Sequence, residues 1–187
     1  MSQLVRLRYF AGLTLFLAIA GQSAWAQITV VQSPAASCTN VSSCTVVFPN
    51  AVLAGDSIFI ATDFSGASFS SVLDSLNNHY TVLGTPLTSP DSSWQQVAAW
   101  TQSTASGSFS VAMNLTAQSP FMEIYAFDIR GGTLDTFASA TGVAGTVSAP
   151  ISASFAGETV VAVVISGAAA SAGADAGSPA AACRGRR

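Results

Sequence analysis

Apolar and polar residues alternate with a period of two in short runs along most of the chain. Each run ends at a cluster of Gly, Pro, Asn, Asp or Ser. That period belongs to β-strands, whose successive side chains point to opposite faces. Residues 108–115 (SFSVAMNL) are the clearest case: Phe109, Val111, Met113 and Leu115 alternate with Ser108, Ser110, Ala112 and Asn114, which predicts a half-buried antiparallel strand. Residues 121–129 (FMEIYAFDI) are largely apolar on both faces. Phe121, Tyr125, Phe127 and Ile129 share one face with Glu123, and Met122, Ile124 and Ala126 fill the other. Such a strand is expected in the middle of a sheet, covered on both sides. Further runs at 28–32, 44–48, 57–63, 70–73, 80–83, 93–102, 134–138, 146–153 and 159–166 are rich in Val, Ile, Thr, Phe, Tyr and Trp, the residues that suit a pleated surface. No window carries a helical period with caps. The pattern predicts an all-β fold, an antiparallel β-sandwich of jelly-roll or immunoglobulin-like type, with a closed barrel as the alternative.

The two ends break this pattern. Arg6 and Arg8 precede an apolar run at 9–20, a polar break follows, and Ala24-Trp25-Ala26 offers an A-x-A site. Those three parts, in that order, predict a secretory signal peptide over residues 1–26, cleaved before Gln27. The run falls short of the roughly 20 residues a membrane-spanning helix needs. The sandwich is then expected over 27–167. Residues 168–187 are Ala, Gly and Ser text ending in Arg, which buries too little surface to offset its ordering entropy and reads as a disordered tail. Such text also fits a shifted reading frame, and the sandwich would then be truncated and lack closing strands.

Half of the residues are apolar but only 8% are charged, far below the usual quarter. Between Gln27 and Gly167 the only cation is Arg130, against eight anions: Asp56, Asp63, Asp74, Asp91, Glu123, Asp128, Asp135 and Glu158. A domain so charged repels polyanions, which excludes nucleic acid as a partner. With the signal removed, no later run is long enough to span a membrane as a helix. The three cysteines are Cys38, Cys44 and Cys183. Export favours a disulfide between Cys38 and Cys44, closing a small loop between two strands, over two unpaired thiols. One histidine and no C-x-x-C pair argue against zinc.

Several stretches together carry a resemblance. They are LAGDSIFIAT at 53–62, VLDSLNNHYTVL at 72–83, EIYAFDIRGGTLDTFASATG at 123–142 and GETVVAVVIS at 157–166. This order is similar to a widespread class of secreted bacterial β-sandwich domains found in large surface proteins. The resemblance implies no established activity and brings no catalytic residue. Asn77 stands where that class has Gly, a tolerable change because Asn also enters the left-handed region. Asp128-Ile129-Arg130 replaces a small-residue turn, and the tail replaces the closing strands.

Candidate chemistry is sparse. Asp74, Asn77, Asn78, His79 and Tyr80 form the richest polar cluster. It reads as a tight turn, Asp74 and Asn78 bonding backbone N–H groups and Tyr80 facing the core; calcium would want more carboxylates. His79 would have to serve any Ser-His-Asp triad, and no G-x-S-x-G elbow is present. Glu123 and Asp128 lie an odd number of residues apart, on opposite faces of one strand, so they cannot act as a glycosidase pair; Glu123 with Asp63 or Asp135 stays open. Arg130 is expected to pair with Asp128 or Asp135. Trp94 and Trp100, evenly spaced, would share a strand face and offer a sugar-stacking surface; the plainer reading puts Trp100 in the core and Trp94 at the start of the strand. Asn40-Val41-Ser42 and Asn114-Leu115-Thr116 fit glycosylation sequons.

The leading expectation is a non-catalytic, secreted or cell-surface module, structural or adhesive, that holds the loops 64–70 and 85–93 toward an extracellular protein or glycan. The alternatives are a carbohydrate-binding module using Trp94 and Trp100 and, more remotely, a secreted hydrolase. No catalytic residue, cofactor or metal is assigned.

Overall fold

The computed structural model describes residues 28–141 and Val161. The signal at 1–26, the candidate strands 146–153 and 159–166 apart from Val161, Cys183 and the tail all lie outside the described residues. Among the described residues the protein is all-β, with no helix.

Among the described residues ten strands form two antiparallel sheets: β1 Thr29–Gln32, β2 Ala35–Cys38, β3 Val41–Val47, β4 Ser57–Phe64, β5 Phe69–Asp74, β6 Thr81–Val82, β7 Leu87–Thr88, β8 Gln95–Gln102, β9 Ser110–Ser119 and β10 Met122–Arg130. The larger sheet runs β1-β10-β4-β8-β6, with β2 also on β10 and β7 also on β8. The smaller runs β3-β9-β5.

Among the described residues, both outer positions of the larger sheet are taken by interrupted strands. β1 and β2 lie end to end along β10. They are parted at Ser33-Pro34, where proline has no N–H to give; the Pro34 carbonyl still accepts from Ala126 N at 3.0 Å. β6 and β7 share β8 in the same way, parted around Gly84, whose φ is +71°. β2 and β7 escaped the sequence pattern because Ala-Ala-Ser-Cys and Leu-Thr are too short or too small to carry it.

The two sheets share one core. Cys44 and Val46 of β3 and Val111 and Met113 of β9 meet Ile58 and Ile60 of β4, Val97 of β8 and Ile124 of β10. The alternation expected of 108–115 holds: Phe109, Val111, Met113 and Leu115 are all buried. Phe48 and Phe109 close one end of this core edge to face, with ring centres 4.8 Å apart. β10 is interior to its sheet, as its two apolar faces require. Met122, Ile124 and Ala126 face the core, and on the outer face Phe127 is only 1% exposed, 5.9 Å from Phe59.

Two expectations fail. Residues 134–138 form no strand. At Gly131 (φ +84°) the chain turns off the sheet, and no β-ladder among the described residues includes 134–138, so strand-like composition alone does not make a strand. Trp100 is not in the core: its strand points Val97, Ala99 and Thr101 inward, and Trp100 lies half-buried on the outer face opposite Phe59.

Candidate functional site

Register gathers four connections at one end of the molecule. Phe64 closes β4 opposite Gln95, the first residue of β8, and opposite Met122, the first of β10. Met122 in turn faces Cys38, the last residue of β2. The turns β2–β3, β4–β5, β7–β8 and β9–β10 therefore converge there.

The β2–β3 turn is closed by the Cys38–Cys44 disulfide, with Cα atoms 5.9 Å apart. Cys44 sits in the core at 1% exposure, so the bond fastens the crossing between the sheets to buried structure. Asn40 turns the chain with φ +55° and donates its N–H to the Pro120 carbonyl at 3.2 Å. The Ser119 hydroxyl accepts from Ser65 N at 3.1 Å and donates to the Phe121 carbonyl. Thr116 N donates to the Ser68 carbonyl at 2.9 Å. Three of the four turns are thus bonded to one another.

The β7–β8 turn is organised by Asp91. Its Oδ1 accepts from the Ser89 hydroxyl at 2.5 Å and from Ser93 N at 3.1 Å. The Ser89 oxygen in turn accepts from Trp94 N at 3.0 Å. These donors, the Ser89 hydroxyl foremost, hold the Asp91 carboxyl down at about 2. Trp94, at the start of β8 as expected, meets the Phe121 ring edge to face at 5.4 Å. Phe121 was not anticipated as its partner, because adjacency across β4 is set by register. Trp100 is six residues further along β8, roughly 20 Å at strand rise, so the two indoles do not form one stacking surface.

On the outer face beside this end, Glu123 lies in register with Asp63 on one side and Ser37 on the other. Its carboxylate accepts from the Ser37 hydroxyl at 2.9 Å and from the Tyr125 hydroxyl at 2.5 Å. The structure thus brings together the Glu123 and Asp63 that the sequence left open. Asp63 is fully buried, which withholds its carboxylate from a substrate in solvent. Glu123 and Asp128 fall on opposite faces as their spacing required.

The opposite end holds the 74–80 cluster. Asp74 Oδ1 accepts from Leu76 N and Asn78 N, and Oδ2 from the Asn78 amide. Asn78 Oδ1 accepts from Thr104 N and its hydroxyl. With Asn77 at φ +58°, this is the turn that the sequence predicted, its oxygens taken up by N–H groups. A groove of about 590 Å³ beside it is lined by Phe69, Val72, Leu73, His79, Tyr80 and Val82, among others. Burial, and then the Asp74 charge, raise the Tyr80 hydroxyl pKa far above its usual value. His79 contributes its carbonyl to the Thr101 hydroxyl; among the described residues its ring bonds no serine or carboxylate. Asn114 gives its amide to the Ser71 hydroxyl, whereas Asn40 is exposed.

Arg130 pairs with neither Asp128 nor Asp135. Its Nε and Nη2 each reach one Asp56 oxygen at 3.0 Å. The β4–β10 register sets Ser57 against Ile129 and so delivers Asp56 to Arg130, while Asp128 is turned inward. Among the described residues no helix is long and apolar enough to cross a membrane, and no group of three His, Cys, Asp or Glu side chains is arranged to hold a metal. Compared with models of protein families, with curated proteins and with solved structures, the chain matches none.

Proposed function

We propose that this chain is a non-catalytic extracellular or cell-surface module, structural or adhesive, built as a jelly-roll or immunoglobulin-like β-sandwich of the secreted bacterial kind. One observation carries this reading. Four connections converge on one end, three of them cross-bonded and one fastened to the core by a disulfide, with a half-buried Trp94–Phe121 pair joining the fourth among exposed hydroxyl and amide groups. Rigid loops on a sheet scaffold meet a partner at low entropic cost. A disulfide suits the non-reducing space that export would supply.

A carbohydrate is the second reading, favoured by the half-buried Trp94 beside Phe121 and two residues before the half-buried Gln96, because sugars bind by stacking on an indole while amides meet their hydroxyls. Arrays of extracellular proteins and of glycans test both. Binding abolished by Trp94→Ala with Asp91→Ala, and unaffected by changes at the 74–80 turn, supports the loop end. Glycan signals alone select the second reading. Binding indifferent to the loop-end changes refutes both.

A further inference from the structure

At the end of the molecule away from those loops, Asp128 is fully buried on the inner face of β10. Its Oδ2 accepts from the Gln32 amide at 2.8 Å. Its Oδ1 is buried and has no donor among the described residues. The neighbouring Asp56, from the turn ahead of β4, is 3% exposed. Asp56 has its own donors: Arg130 Nε on Oδ1, and Arg130 Nη2 and Leu53 N on Oδ2. In the β4–β10 register Asp128 stands opposite Ile58, and Asp56, two residues before Ile58, falls on the same face, so the two carboxyl groups are neighbours.

A buried carboxylate oxygen without a donor, beside a second carboxylate, is doubly unfavourable. A single proton on Asp128, donated to Asp56, removes both penalties. The charge of Asp56 is answered by Arg130, so the proton belongs on Asp128. Burial first, and then the Asp56 charge, push the Asp128 pKa up, while the Arg130 and backbone bonds leave Asp56 below its usual value. The titratable and charged groups facing Asp128 are Asp56 and Arg130; β1 contributes the neutral Gln32.

The connections make this proton mechanical. Gln32 also bonds the loop after β3, its amide donating to the Asn50 carbonyl and its oxygen accepting from Asn50 N, each at 3.0 Å. Asp56 holds the 53–56 turn through Leu53 N. We propose that Asp128 and Asp56 share one proton in a clasp that fastens β1, the loop after β3 and the turn ahead of β4 onto β10, and that loss of this proton as pH rises loosens all three.

A group whose folded pKa is raised above its unfolded value of about 3.9 contributes stability that is lost as pH climbs from that value through the folded one. The Tm of the purified protein is therefore expected to fall by several degrees as pH rises above about 4. Asp128→Asn carries a permanent N–H donor toward Asp56. It should flatten that fall and raise the Tm at the alkaline end. Carbon-13 NMR of the wild-type carboxyl groups gives a reading independent of any variant: Asp128 titrates above the ordinary aspartate range and Asp56 below it. The clasp is refuted if Asp128 titrates at or below the ordinary value, or if a foldable Asp128→Asn variant keeps the full alkaline loss.

Discussion

At the residue scale, the local turn chemistry was open to reading and the long-range partners were not. Asn77 was recognised as an acceptable stand-in for glycine, and it holds φ +58°. Asn77→Ala should lose about 1 kcal/mol, because a Cβ without a polar handle is strained there. Asn77→Gly should shift stability by less than about 0.5 kcal/mol, since relief of strain and the looser unfolded chain oppose each other. Urea midpoints of the two variants check the pair, and equal losses would show that the side chain of Asn77, not its backbone, matters. Asp128 shares parity with Met122, Ile124 and Ala126, and only the packing of the second sheet makes theirs the inward face. Its partners Gln32 and Asp56 are distant in sequence, and only the folded register names them.

At the element scale, strands with full alternation were located to within a few residues, whereas β2 and β7 were missed and 134–138 was misread. Strand pairing decides these cases: a small-residue segment becomes a strand where a neighbour offers its N–H and C=O groups, and an apolar one does not where the chain has turned away. The disulfide belongs to this scale because it joins the end of one sheet to a strand of the other. Closing a loop this short should stabilise by about 2 kcal/mol. Replacing Cys38 and Cys44 together by Ala is expected to lower the denaturant midpoint by that order, and reduction of the wild type should do the same. An unchanged midpoint on reduction would show that the β2–β3 crossing is held by packing alone.

At the scale of the whole molecule, charge is distributed unevenly in its consequences. Asp91 and Asp56 have folded pKa values held below their unfolded ones, so the stability they contribute is present above about pH 4 and is lost as pH falls toward their folded values. Asp128 works in the opposite sense. Stability should therefore peak in mildly acidic solution and decline on both sides. The acid limb is expected to be shallower in Asp91→Asn, measured by Tm across the range, because that variant has no carboxylate at position 91 to protonate. An acid limb unaltered by this change would assign the acid loss to other groups.

The sequence by itself determined the all-β class, the inward face of β9 and the 74–80 turn, because period-two patterning and turn residues are local properties. Only the tertiary structure decided that Trp94 meets Phe121, that Glu123 lies beside Asp63, that Arg130 reaches Asp56 and that Trp100 stands outside the core. Each of those is a contact between strands far apart in the chain. Such contacts depend on register, which the cooperative packing of two sheets fixes and no single segment encodes.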